Sequence, residues 1–278
     1  MTTLAPTIDD KRRAFRRLHE HGCFVIPNPW DLGSALALQS LGFPALASTS
    51  SGFAWSQGHA DGAMPRERVL EHLRALVAAT RIPVNADFES GYATTAAGVA
   101  ESVRLAIDAG VAGLSIEDAS GLAADPLFAL DVAVERLRAA RQAIDLAGAD
   151  ILLVGRSEGF IRDRPDFEET IKRLRAYANA GADCLYAPGI RTREQIAAVV
   201  EAVAPKPVNV LISGASEFTV SDLAALGVRR ISVGGSLARA AWTGFLDAAR
   251  RIAGEGRFDG FGRAMPHAEL DALFRDKP

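Results

Sequence analysis

Short apolar runs alternate with longer stretches rich in Ala, Leu, Arg and Glu, and this constrains the fold more than any other feature of the chain. Eight runs read as strands, at 23–28, 45–49, 84–88, 113–118, 151–156, 184–187, 208–212 and 230–233. Their starts lie about 30 residues apart on average, the size of a strand–helix repeat. Strands apolar nearly throughout are buried on both faces, as in a parallel sheet. Between them, residues 66–79 put Val69, Leu70, Leu73, Leu76 and Val77 on one helical stripe, and 99–109 and 171–180 repeat the arrangement. Four helix-to-strand turns carry a glycine, in "LGFPALAST", "DAGVAGLSIED", "NAGADCLYAPG" and "LGVRRISVGG". Such a glycine supplies the left-handed conformation that ends a helix and turns the chain at once into a strand.

The expected fold is therefore a (β/α)8 barrel, with an open doubly wound sheet as the alternative. One domain over 1–278 is expected: a helix at 8–21, the barrel at 23–252 and an extension at 253–278. The basic helix "IDDKRRAFRRLHEH" reads as a solvated charged face. A net charge of −3 gives no reason to expect a nucleic-acid or membrane partner. No apolar run approaches the ~18 residues of a membrane span, and the start lacks an apolar signal core, so the cytoplasm is expected. Cys23 and Cys184 read as buried thiols in a reducing compartment.

Barrel enzymes build their sites from strand C-termini and the loops that follow. Here the third strand ends in "VNADFESGY", the fourth in "SIEDAS" and the fifth in "VGRSEG". Strand alternation puts Asn85, Asp87 and Glu89 on one face. With Glu117 they offer hard oxygen donors suited to Mg²⁺ or Mn²⁺. Arg156 can pair with a substrate carboxylate or phosphonate. The loop "STSSGFAWSQGHADG" is a candidate oxyanion cradle or lid, and "VGGSLAR" is either a phosphate corner or a tight strand-to-helix turn. Of five histidines only His59 falls in a presumed site loop.

With those residues in view, the chain resembles the isocitrate lyase/phosphoenolpyruvate mutase superfamily. The resemblance runs from about residue 8 to 250 and rests on "NPWDLGSALALQSLGFPALASTSSGFA", "IPVNADFESGY", "AGVAGLSIED", "VGRSEGF" and "YANAGADCLYAPG", in that order. It implies a barrel whose last helix is exchanged with a neighbouring subunit, hence a homodimer or homotetramer. It also implies Mg²⁺ (or Mn²⁺) in the acidic cluster and an oxo- or hydroxy-acid substrate passing through an enolate. By position, Ser50, Ser51, Gly52 and Phe53 resemble the segment that binds the acid. Asp61 resembles the loop aspartate near the reacting groups, Asp87 and Glu117 resemble metal carboxylates, and Arg156 resembles the substrate-gripping arginine.

Three departures limit the resemblance, one of them "YAPG", where the lyases put a glutamate near Pro188. Asn85 stands where members usually carry an aspartate that touches the metal, so it is expected as an uncharged third ligand. The Lys-Lys-Cys-Gly-His segment of the isocitrate and methylisocitrate lyases is replaced by "ASGLAADPLFAL", without Cys, Lys or His. That argues against either lyase activity and leaves Tyr92, His59 and Glu158 as candidate proton donors. The expected function is a metal-dependent lyase, decarboxylase or hydrolase cleaving a C–C bond. The alternatives are P–C chemistry on a phosphonopyruvate-type acid and a non-catalytic small-acid-binding barrel.

Overall fold

A computed structural model describes residues 5–275. Eight strands form one parallel sheet: β1 (Phe24–Ile26), β2 (Leu46–Ala47), β3 (Val84–Asp87), β4 (Gly113–Glu117), β5 (Leu152–Arg156), β6 (Cys184–Tyr186), β7 (Val208–Leu211) and β8 (Arg230–Ser232). Their order is β1-β8-β7-β6-β5-β4-β3-β2. The two ends of that ladder meet where Ala47 N donates to the Pro27 carbonyl at 3.1 Å, so the sheet curls into a nearly closed (β/α)8 barrel. Every strand falls inside its expected run but is shorter, because only the residues that reach a neighbouring strand stay in the ladder.

The helices in chain order are α1 (Ile8–Leu18), α2 (Leu32–Ser40), α3 (Ser50–Ser56), α4 (Arg66–Ala79), α5 (Ala96–Asp108), α6 (Leu130–Leu146), α7 (Phe167–Asn179), α8 (Arg193–Val203), α9 (Val220–Ala225), α10 (Ser236–Glu255) and α11 (His267–Arg275). The α4 stripe expected from sequence is buried as a unit, from Val69 to Val77. The turn glycines behave as expected: Gly110 and Gly181 have φ of 87° and 103°, where a side chain would be strained. Among the described residues no helix is long and apolar enough to cross a membrane.

The floor of the barrel corrects one expectation. The charged face of α1 is solvated at Asp9, Asp10, Arg13 and Arg17 but not at Lys11 and Arg12, which are buried. Phe15 plugs the barrel bottom among Phe24, Ile26, Ala45, Ala112 and Leu152. Lys11 Nζ donates to the carbonyls of Val77 (2.8 Å) and Thr80 (2.5 Å), just at the end of α4. Arg12 reaches the carbonyls of Ile107 (2.8 Å) and Val111 (3.2 Å) around the end of α5. Cations thus cap two helix C-termini whose last carbonyls would otherwise be unpaired. Cys184 is buried in β6 as expected, whereas Cys23 is only half-buried before β1.

Candidate active site at the strand C-termini

Strand alternation turns Asp87, Glu117 and Arg156 inward near the C-terminal ends of β3, β4 and β5, and Glu117 and Arg156 are register partners. Arg156 lies at the centre of an acidic ring. Its Nη1 is 3.1 Å from Asp87 Oδ1 and 3.2 Å from Glu117 Oε2, and its Nε is 2.5 Å from Glu158 Oε1. Arg162, which the sequence reading did not single out, approaches Glu117 and Glu158 at 3.6 and 3.5 Å. Above this ring opens a cavity of about 530 Å³, reached by Asp61, Glu89 and Ser120.

Negative charge outweighs positive here. Asp61, Asp87, Glu89, Glu117 and Glu158 share two guanidinium groups, Arg156 and Arg162. Burial drives Glu117 well above the usual carboxylate range, against the pull of Arg156. Glu158 is raised by burial, with Arg156 offsetting part of the shift. Its Oε2 is buried without a hydrogen bond. Desolvation and the facing Asp87 carboxylate lift Glu89 to about 7. Asp61 is raised for the same two reasons, with a hydrogen bond from Ser50 opposing them.

The acids do not all share one strand face as expected. β3 ends at Asp87, and Glu89 leaves the strand in the left-handed region at φ 46°, with Tyr92 following at φ 51°. Tyr92 donates its hydroxyl to Glu89 Oε1 at 2.9 Å. Arg136, buried on α6, fixes this turn by donating to the carbonyls of Ser90 (2.5 Å), Ala93 (2.7 Å) and Thr94 (3.3 Å). Asn85 departs further from expectation. It sits one inward position below Asp87, where its Oδ1 accepts from Arg230 at 3.4 Å and its Nδ2 donates to the Ala86 carbonyl at 3.1 Å. Of the expected trio, Asp87 and Glu117 meet at Arg156 Nη1, while Asn85 turns its Oδ1 toward Arg230. Among the described residues no three His, Cys, Asp or Glu side chains converge as a ready metal cage.

The presumed loop after β2 begins as a helix, α3. Ser50 N donates to Asp87 Oδ2 at 3.0 Å, and Ser50 and Ser51 line a narrow chamber of about 200 Å³ beneath the ring. Gly52 must lack a side chain, since a Cβ there would lie 2.7 Å from Thr49 Cγ2 and 2.9 Å from Trp30 Cβ. The Phe53 side chain turns into the core and stacks on His72 with ring centroids 4.0 Å apart, so it does not face the chamber. His59 is exposed beside Trp55 and Trp242, outside both cavities. Asp118 is structural: it accepts from Glu158 N (2.7 Å), Tyr177 Oη (2.6 Å) and Arg173 Nη1 (3.0 Å), bracing β5 and α7. At the glycine pair after β8, Asn28 Oδ1 accepts from the N–H groups of Val233 and Gly234 at 2.9 and 2.8 Å. Gly235 packs against Ser51 and Trp55, which fits the tight turn.

Comparison with known proteins agrees with the barrel fold. A Burkholderia cenocepacia J2315 protein solved as a candidate lyase/mutase superposes with a TM-score of 0.94 at 45% identity, covering 97% of this chain and 98% of its own. A 2,3-dimethylmalate lyase, solved as a member of the PEP mutase/isocitrate lyase superfamily, gives 0.84 at 26% identity over 98% and 95% of the two chains. An oxaloacetate decarboxylase from Bradyrhizobium sp. (strain ORS 278) is 31% identical over 206 residues, 72% of this chain and 63% of the relative. The family model of phosphoenolpyruvate phosphomutase matches residues 15–253. The chain belongs to that family, within the PEP mutase/isocitrate lyase superfamily.

Proposed function

We propose that this protein cleaves a carbon–carbon bond of a small oxo- or hydroxy-acid through an enolate, with a divalent cation as cofactor. The observation that carries this reading is the surplus of carboxylates at the ends of β3–β5. Several are pushed above their normal range by burial and by one another, an environment that a divalent cation would relieve. Asp87 and Glu117 would hold that cation, directly or through water, and Asn85, engaged with Arg230 at 3.4 Å, would not. Bound there, it would supply positive charge against a developing enolate.

The chain's own residues supply the rest. Arg156 orients a substrate carboxylate, Ser50 and Ser51 bound the acid from below, and Asp61 stands at the mouth beside Ser50 and Asp87. The segment after β4 carries no Cys, Lys or His, so proton transfer falls to Glu89. Burial raises Glu89 above the usual carboxylate range and Tyr92 holds it in place at the cavity, which suits it to carry a proton there. Relatives named oxaloacetate decarboxylase and 2,3-dimethylmalate lyase support the small-acid class. The phosphomutase family model favours a second reading, P–C chemistry on a phosphonopyruvate-type acid, which phosphate release would reveal.

The test is thermal melting of chelator-stripped protein with Mg²⁺, Mn²⁺ and oxalate, singly and together, followed by turnover assays on oxaloacetate and substituted malates. Oxalate imitates a pyruvate enolate, and a ligand at 100 times its Kd raises stability by about 2.7 kcal/mol. Stabilisation that needs cation and oxalate together, with turnover abolished by chelator, is expected. Full turnover after chelation overturns the cation requirement. Binding without turnover of any of these acids would leave a small-acid-binding barrel.

A further inference from the structure

Arg156 and Arg230 both line the chamber inside the barrel, and their surroundings are opposite. Arg156 is ringed by carboxylates. Arg230, the first residue of β8, is 3% exposed and deeper in the barrel. Its Nε donates to Asn209 Oδ1 at 2.8 Å, and its Nη1 lies 3.4 Å from Asn85 Oδ1 and 3.5 Å from His19 Nε2. Among the described residues these are its side-chain partners, and none carries negative charge. His19 stays neutral, since burial and then Arg230 itself push it down to about 3. A buried guanidinium held only by neutral acceptors has lost its water without gaining a counter-ion, and a carboxylate is the group that fits its planar fork.

Arg230 also opens onto the right space. The chamber of about 200 Å³ is lined by Asn85, Asn209 and Arg230 below and by Ser50, Asp61 and Arg156 above. One polar wall joins the two arginines. Arg156, Tyr186, Asn209 and Arg230 are successive register partners across β5–β8. The Arg156 guanidinium lies over the Tyr186 ring at 5.1 Å, and Asn209 Nδ2 donates to Ser232 Oγ at 2.9 Å. A ligand entering beside Arg156 thus meets an uncompensated positive charge at the far end.

We propose that Arg230 is a second anion receptor, taking the distal carboxylate of a dicarboxylic acid whose reacting end lies at Arg156, and so selecting dicarboxylic over monocarboxylic substrates. This rests on the small-acid reading above and adds to it the residue that would discriminate. Asn85 has a part in this arrangement: an aspartate there would neutralise Arg230 internally and close the receptor.

The experiment compares succinate with butyrate, which replaces one carboxylate by a methyl group. Calorimetric Kd values are measured on the full chain with Mg²⁺, for the native protein, Arg230→Gln and Asn85→Asp. Succinate should bind roughly 10–100-fold more tightly than butyrate to the native protein, the scale of a charge-assisted hydrogen bond. Arg230→Gln should erase most of that ratio. Asn85→Asp should reduce it too while raising the melting temperature of the ligand-free protein, because its carboxylate pairs with Arg230. Equal affinities in the native protein, or a full ratio in folded Arg230→Gln, overturn the proposal. Should Arg230→Gln fail to fold, an unchanged ratio in Asn85→Asp does so. Oxalate separates this from the wider reading: oxalate bound without any succinate preference sinks only the Arg230 receptor, whereas no oxalate binding sinks the active site itself.

Discussion

Arg156 and Glu117 are register partners on adjacent strands, and their side chains meet at 3.2 Å with only 15% and 6% of their surfaces exposed. The same guanidinium serves Asp87 and Glu158, so one cation restrains three acids, two of them buried. Arg156→Met should therefore destabilise the protein by about 3–5 kcal/mol, the cost of leaving buried charge without its partner. It should also lower turnover by more than about 100-fold. The stability loss should be larger at pH 8 than at pH 5, because the acids can take up protons at the lower pH. Urea unfolding at both pH values measures this. A loss independent of pH would mean that packing, not charge, is what Arg156 supplies.

Glu89 gives the pH prediction. Its folded-state ionisation is raised to about 7 from a reference of 4.5, so the fold favours the protonated form. The sign follows from linkage: this contribution is fully present below pH 4.5 and is lost as pH rises through about 7. Ligand-free protein should melt at progressively lower temperature over that window, and Glu89→Gln should flatten the dependence. The rate profile of the cation-loaded enzyme should show an inflection below the ligand-free value of about 7, because a cation beside Asp87 offsets part of the shift, and that inflection should vanish in Glu89→Gln. An identical profile in Glu89→Gln would remove it from proton transfer.

The barrel was legible in the sequence because its signals are periodic. Apolar strand runs, the α4 stripe and turn glycines such as Gly110 each report a local requirement. Asp87, Glu117 and Arg156 were legible for the same reason, lying at or near strand ends where inward-facing polar residues must serve a site. What stayed hidden depends on distances between strands. Asn85 and Asp87 share one face, yet the stagger of the barrel gives Asn85 to Arg230 and Asp87 to Arg156. Phe53 lies beside the site in sequence, but the first turn of α3 carries its ring into the core. Asp118 follows Glu117 directly, and strand alternation sends it outward to Arg173 and Tyr177. No local pattern marks Arg136 or Arg230, whose partners lie far away in the chain.

The floor of the barrel gives a prediction about stability alone. Lys11 and Arg12 are each 8% exposed and donate to carbonyls around the ends of α4 and α5. Lys11→Met keeps the aliphatic stem and removes the donor, leaving the Val77 and Thr80 carbonyls without it. The expected cost is about 1.5–3 kcal/mol, the range for hydrogen bonds to a charged group. Turnover per folded molecule should be unchanged, since the site lies at the opposite end of the strands. Denaturant midpoints with activity measured on the same samples provide the check. A drop in turnover without a drop in stability would show that the floor communicates with the site.

The last prediction concerns α10, which contributes little to the core of its own chain: Ala238 is its one buried residue. Trp242, Phe245 and Leu246 are 37%, 60% and 37% exposed, and the apolar surface continues through Phe258 and Phe261. Trp242 and Phe245 meet edge to face at 5.6 Å, and shallow apolar grooves flank them toward Trp30 and Trp55. A contiguous apolar strip of this kind marks an interaction surface in a soluble protein. The expectation that α10 is exchanged between subunits, giving a homodimer or homotetramer, accounts for it. Light scattering after size exclusion should give at least twice the 29.4 kDa chain mass. Phe245→Glu, alone or with Trp242→Glu, should shift the protein toward monomer and lower its melting temperature, because those side chains would then face water. Exchange makes a sharper demand than surface docking: releasing a subunit requires α10 to leave its neighbour, so differently tagged oligomers should mix slowly at 25 °C and faster as the melting transition is approached. Native protein that runs as a stable monomer would overturn the assignment of this face to a second copy of the chain.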